Sequence, residues 1–126
     1  MDREHYTHLL AVARGDRPAD LVLDHCLIAN VFTGELLHAQ IAIAGAWIAA
    51  VGSGFSSQHV VDLQGQVVTP GLIDTHVHVE SSMCGPAEFA RAVVPHGVTT
   101  VISDPHEIAN VAGVEGIRYM LDASEN

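Results

Sequence analysis

An α/β fold is what this sequence predicts: the opening βα units of a (β/α)8 barrel, preceded by part of a small β-sandwich and left incomplete. Three observations carry that expectation. Between Ala19 and Thr69 the chain runs in short stretches rich in Val, Ile and Leu. These are punctuated by Asn30, Gly34, Gly45, Gly52, Gly54 and Gly65, the spacing of strands joined by tight turns. After Pro70-Gly71 the period changes to strand, helix, strand, helix, the alternation that gives parallel strands with right-handed crossovers. Finally, 126 residues suffice for one domain, whereas a closed barrel of eight βα units needs at least ~200.

Taken in order, residues 1–18 are expected to form an N-terminal helical cap, because Tyr6, Leu9, Leu10 and Ala13 fall at helical spacing before Gly15 and Pro18. Residues 19–70 read as a small β module, a sandwich or part of one. Six antiparallel strands are predicted there, at 20–24, 26–32, 39–44, 47–51, 60–63 and 66–68. Residues 71–126 are the first two βα units of a truncated barrel. Leu72 to Val79 reads as a strand, and Gly85 to Val94 as a helix with Pro86 at its first position and Glu88 in its positive first turn. Gly97 then stops the chain, Val98 to Ser103 is a second strand, and Val114, Ile117, Met120 and Leu121 mark a second amphipathic helix.

Composition removes several functions from consideration. Fifteen acidic side chains against five basic ones, all arginine, leave no patch able to neutralise a run of phosphates, so neither nucleic acid nor an anionic membrane surface is an expected partner. The longest apolar stretch, Ile41 to Val51, is broken by Gly45 and falls short of the roughly 20 residues a membrane helix requires. No basic end followed by an apolar run marks a signal peptide, which makes a cytoplasmic location the expectation. Cys26 and Cys84 cannot build a disulfide framework and read as plain thiols.

The chemistry is concentrated in the strand from Leu72 to Glu80. Side chains alternate along a strand, so Leu72, Asp74, His76, His78 and Glu80 share one face. A central parallel strand is normally apolar on both faces, and burying ionisable groups without partners costs several kcal/mol each. A divalent metal held by His76 and His78 offsets that cost. With nine His in the chain a chance His-x-His is unremarkable. Its place at the C-terminal end of a strand opening a βα unit, where barrels carry their active sites, is what favours ligands over surface or core histidines.

A second cluster, Asp104-Pro105-His106-Glu107, ends the second strand. Asp104 reads equally as a helix cap or as a site residue, while His106 and Glu107 read as metal ligands, groups behind the ligands or proton carriers. Two related motifs fail: position 110 is Asn where a zincin helix requires its second His, and the paired cysteines that accompany His-x-Glu in cytidine-type deaminases are absent. His5, His8, His25, His38 and His59 lie outside both clusters.

The run Pro70-Gly71-Leu72-Ile73-Asp74-Thr75-His76-Val77-His78 resembles the opening strand of the amidohydrolase superfamily, whose metal-binding His-x-His ends the first barrel strand. Val79-Glu80-Ser81-Ser82-Met83, Pro86-Ala87-Glu88-Phe89-Ala90, Pro95-His96-Gly97 and Asp104-Pro105-His106-Glu107-Ile108-Ala109-Asn110-Val111 are similar, more specifically, to the bacterial adenine deaminases of that superfamily. Arg14 to Asp20 and Asn30 to Glu35 fit the same family, so the resemblance covers nearly the whole chain but only the start of the family's length. It implies an amidohydrolase barrel beside a composite β domain, and a two-metal centre of Mn2+ or Fe2+, with Zn2+ as a further possibility. The implied reaction is hydrolysis of the purine adenine to hypoxanthine and ammonia, by a homo-oligomer at full length. Carried over, His76 and His78 are metal ligands, while Glu80, His106 and Glu107 surround the metals or the purine as catalytic groups. The remaining ligands belong to later strands, so the chain alone is expected to be inactive. Another cyclic-amide hydrolase of the superfamily, or a non-catalytic interaction module, is the alternative.

Overall fold

Asp2 accepts the backbone N–H of His5 at 2.9 Å and caps helix α1, Arg3–Ala13. The helix ends in a Schellman motif: Gly15 N–H donates to Val12 O and Asp16 N–H to Ala11 O, with Gly15 at φ 77°, where a Cβ would be strained. This computed structural model describes residues 2–125 and divides into two units, one ending at Pro70 and one beginning at Gly71. The face α1 buries differs from the predicted stripe. Ala11 and Val12 are buried and Leu9 packs on the core, while Tyr6 and Leu10 point outward at 55% and 41% exposure.

The first unit is one mixed sheet rather than a set of antiparallel hairpins. Its strands are β1 (Leu21–Asn30), β2 (Glu35–Ala44), β3 (Trp47–Gly52), β4 (Val60–Asp62) and β5 (Val67–Val68). Their order is β3-β2-β1-β4, with β5 also paired to β1. The β1–β2 and β2–β3 pairs are antiparallel as expected, but β4 and β5 both run parallel to β1. In the 53–59 connection between β3 and β4, Phe55 packs on the core and its backbone N–H donates to Gln40 Oε1.

Two predicted strands, 20–24 and 26–32, are a single strand. Leu23 faces Ile41 and Cys26 faces Ala39, so Asp24 and His25 together oppose Gln40 in a β-bulge, with His25 at φ 50°. The extra residue changes the parity of β1. Val22, opposite Ala42, joins Val12, Ala19, Ala42 and Ala44 in the core beneath α1, while Cys26 pairs on the parity of Ile41 and is buried outside that cluster. Burial raises the Cys26 thiol pKa above its ordinary value, as expected of a plain thiol. At the bulge, His25 Nδ1 lies 2.9 Å from Asp62 Oδ1, a hydrogen bond that, together with the nearby Asp24 charge, raises the imidazole pKa above its ordinary 6.5.

The second unit alternates as predicted: β6 (Leu72–Val77), α2 (Pro86–Val93), β7 (Val98–Ser103) and α3 (His106–Ser124). The strands β6 and β7 are parallel neighbours, with Leu72 opposite Val98 and Val77 opposite Ser103. Three boundaries differ from expectation. Strand β6 stops at Val77, and Val79–Ser82 forms a 3-10 turn, so Glu80 leaves the strand face. Helix α3 begins at His106, eight residues before the first apolar marker. It breaks at Gly113 (φ 63°, ψ −148°). That break brings Gly116 against Ile108, where a Cβ would come within 2.8 Å of the Ile108 carbonyl.

Two predictions follow from the first unit. Val12→Ala removes methyl groups from a site only 1% exposed and should cost ~2 kcal/mol, whereas Leu10→Ala should cost under ~0.5 kcal/mol. Urea unfolding distinguishes them, and equal losses would show that α1 does not dock through Val12. The His25–Asp62 pair acts in a defined pH window. The imidazole pKa is raised, so its contribution is present below 6.5 and lost as pH rises through the folded value. The Asp62 pKa is lowered, chiefly by the Gln64 N–H and then by His25, so its contribution is present above 3.8 and lost as pH falls. His25→Gln should therefore lower the melting temperature more at about pH 5 than at about pH 8; an equal effect at both would contradict the pairing.

Candidate metal centre

The centre is assembled at the C-terminal ends of β6 and β7, and their parallel pairing makes it possible. Past the last paired residues, Asp104 N–H still donates to Val77 O at 3.2 Å, so the 104–107 segment stays beside the 76–80 segment. His78, still extended at φ −104° and ψ 94°, donates from Nδ1 to the Asp104 carbonyl at 2.7 Å. A carbonyl only accepts, so this bond fixes the tautomer and leaves a lone pair on His78 Nε2. That lone pair accepts a hydrogen bond from His76 Nε2–H at 3.1 Å, a proton that a cation bound between the two rings would displace. The His76 backbone N–H is in turn held by Asp74 Oδ1 at 3.1 Å, which anchors the segment carrying the ring.

His106, the first residue of α3, completes a row of three imidazoles. The His76 and His78 rings meet edge to face with centroids 4.8 Å apart, and those of His78 and His106 at 4.7 Å. His106 Nδ1 lies 3.0 Å from Asp104 Oδ2. His78, Asp104 and His106 bring one potential ligand atom each within 4.8 Å of one another.

Behind this row, Glu80 spans from the 3-10 turn to α3. Its Oε1 accepts the backbone N–H groups of Glu107 and Ile108 at 3.2 and 3.5 Å, and so stands at the positive end of α3. Pro105, at the cap position, offers no side-chain bond, and Asp104 does not cap the helix either. Glu80 Oε2 is buried without a hydrogen-bond partner. Ser81 donates to Glu107 Oε2 at 2.7 Å.

The donor set suits a divalent cation. Two imidazole nitrogens each about 2.1 Å from one ion lie about 3.0–3.4 Å apart at octahedral to tetrahedral angles, the spacing at which the His76 and His78 nitrogens face one another. The surrounding charge is complementary, since Asp74, Glu80, Asp104 and Glu107 all lie here. Both arginines of this unit are paired elsewhere, Arg91 with Glu88 and Arg118 with Glu115. The burial premise of the strand-face argument, however, does not hold for this chain. Leu72 to His76 are exposed and His78 and Glu80 are half-buried, so the case for a metal rests on convergence of donors rather than on burial.

All five residues singled out from the sequence, His76, His78, Glu80, His106 and Glu107, meet at this rim, though Glu80 arrives from the turn and not from the strand. Asp104, whose role the sequence left open, is bonded to two of the three histidines. Ser81 was not anticipated, and nothing in its spacing marks it.

Comparison with known proteins agrees with this geometry. The chain is 55% identical over 118 residues to adenine deaminase 2 of Carboxydothermus hydrogenoformans, covering 94% of this chain and 20% of that protein. It is 52% identical over 117 residues to the adenine deaminase of Kosmotoga olearia, covering 93% and 20%. Against the Bacillus pumilus adenine deaminase it is 47% identical over 125 residues, covering 99% and 22%. The chain thus spans about a fifth of the length of the curated relatives it matches. Among solved structures, N-acyl-D-glutamate deacylase from Bordetella bronchiseptica, complexed with zinc and a phosphonate inhibitor, superposes with a TM-score of 0.54 at 23% identity. The superposition covers 69% of this chain and 19% of that one, a likeness of fold. Residues 67–126, which carry the whole rim, match the amidohydrolase family.

Proposed function

We propose that the chain contributes part of the metal centre of an adenine deaminase, in which His76 and His78 hold a divalent cation through Nε2. The observation that carries the proposal is the 3.1 Å approach of those two nitrogens, one of them held in its tautomer by a backbone carbonyl. The about 50% identity to adenine deaminases supports a purine as the substrate class, its exocyclic amine being replaced by oxygen.

The cation, Mn2+ or Fe2+ with Zn2+ as the third possibility, would supply Lewis acidity and lower the pKa of bound water towards ~7. The protein's own groups do the rest. His106 and Glu107, at the first turn of α3, are placed to hold or move a proton between water, the purine ring nitrogen and the departing ammonia, a role typically contributing ~10²- to 10⁴-fold. Glu80 secures that first turn through Oε1 and retains Oε2 for the centre. Further ligands come from the rest of a (β/α)8 barrel, of which β6-α2-β7-α3 is the opening, and the mixed sheet of residues 19–70 is part of its companion β domain. A cytoplasmic, homo-oligomeric enzyme of purine salvage is the setting this reading implies. Among the described residues no helix is long and apolar enough to cross a membrane.

Two experiments test the reading. Equilibrium dialysis against Mn2+ should show at least ~10-fold weaker retention in His76→Ala and His78→Ala than in the parent chain, with His38→Ala and His59→Ala unchanged. Equal retention in all four would remove the metal assignment. Ammonia release from adenine should be absent with the chain alone. It should appear when the chain replaces the matching segment of the Bacillus pumilus adenine deaminase, and disappear again on His76→Ala. Turnover by the isolated chain, or a chimera indifferent to His76, would contradict it.

A further inference from the structure

We propose that Asp104 is a positioning residue that sets two imidazoles at once, His78 through its backbone carbonyl and His106 through its carboxylate. The inference deepens the metal-centre reading and rests on it for its purpose.

An exposed histidine ring carries its proton on either nitrogen, and a group that must offer one particular nitrogen to a metal or a proton gains from having the other one committed. His78 is committed by the 2.7 Å bond from Nδ1 to the Asp104 carbonyl. A carboxylate oxygen likewise accepts, so the 3.0 Å contact between Asp104 Oδ2 and His106 Nδ1 makes that nitrogen the donor. Both rings are left with a lone pair on Nε2. The neighbours explain why the carboxylate is available for this work. An Asp just before a helix normally caps it, but here Glu80 Oε1 takes the Glu107 and Ile108 N–H groups. One residue of β7's extension therefore aligns a ring that follows β6 and a ring that opens α3, and the pairing of Asp104 N–H with Val77 O ties its position to β6.

The two arms of Asp104 separate in experiment, because a substitution removes the carboxylate and keeps the carbonyl. Long-range 15N–1H correlation spectra of the full chain, without metal or purine, report the tautomer of each ring. In the parent chain both His78 and His106 should be Nδ1–H. In Asp104→Ala, His106 should lose that single tautomer for a mixture while His78 keeps it, a difference that a general loosening of the rim would not give. A parent chain with His106 protonated on Nε2 overturns the proposal without any variant. So does an Asp104→Ala protein in which neither ring changes, or in which both do. Because the readout uses neither cation nor adenine, failure of the metal-centre reading appears in the dialysis experiment and leaves this result intact.

Discussion

The parallel register of β6 and β7 is the constraint on which the rim depends. A parallel pair aligns the C-terminal ends of both strands on one side, and here the ladder runs one step past its last paired residues, from Asp104 N–H to Val77 O. That step sets the Asp104 carbonyl against His78 and the first turn of α3 against Glu80. At the opposite end the pair is equally close: a Cβ on Gly71 would fall inside the side chain of Thr99, so the approach of the two strands begins where only glycine fits. A slip of one residue would turn the histidines to the other face.

Much of this was legible in the sequence, and for identifiable reasons. The change from turn-punctuated runs to strand-helix alternation at Pro70-Gly71 is a change of hydrophobic period, the strongest signal a single sequence carries, and it falls where the structure divides. His76 and His78 were placed on one face by strand alternation alone, which survives because His78 remains extended after the strand ends. Three of the features that differ have local causes. The bulge at Asp24-His25 joins two predicted strands into one, and the left-handed His25 that makes it possible is not a residue type that announces a bulge. The 3-10 turn after Val77 removes Glu80 from the strand face without any Gly or Pro before it to mark the stop. Helix α3 was read from its apolar markers after Gly113, while its start at His106-Glu107, two polar residues held from outside by Glu80, read as a site cluster.

Glu80 shows how one side chain can serve the fold and the site together. Its Oε1 satisfies two N–H groups that the start of any helix leaves without internal partners, and the helix end in turn stabilises the carboxylate. The bland assignment of a carboxylate to structure and the functional one to chemistry therefore do not exclude each other. They are divided between its two oxygens, of which Oε2 is buried and unbonded.

Charge decides what kind of partner the rim accepts. Four carboxylates and three imidazoles converge on it, while the unit's two arginines are bonded to Glu88 and Glu115 on the helices. An arginine at the centre would have closed the carboxylates into ion pairs and left the imidazoles without a task. Its absence from the residues of the rim leaves a negative potential around nitrogen lone pairs, a combination that repels anions and attracts a small, highly charged cation. A phosphate brought to these carboxylates would meet repulsion, with both arginines of this unit engaged elsewhere.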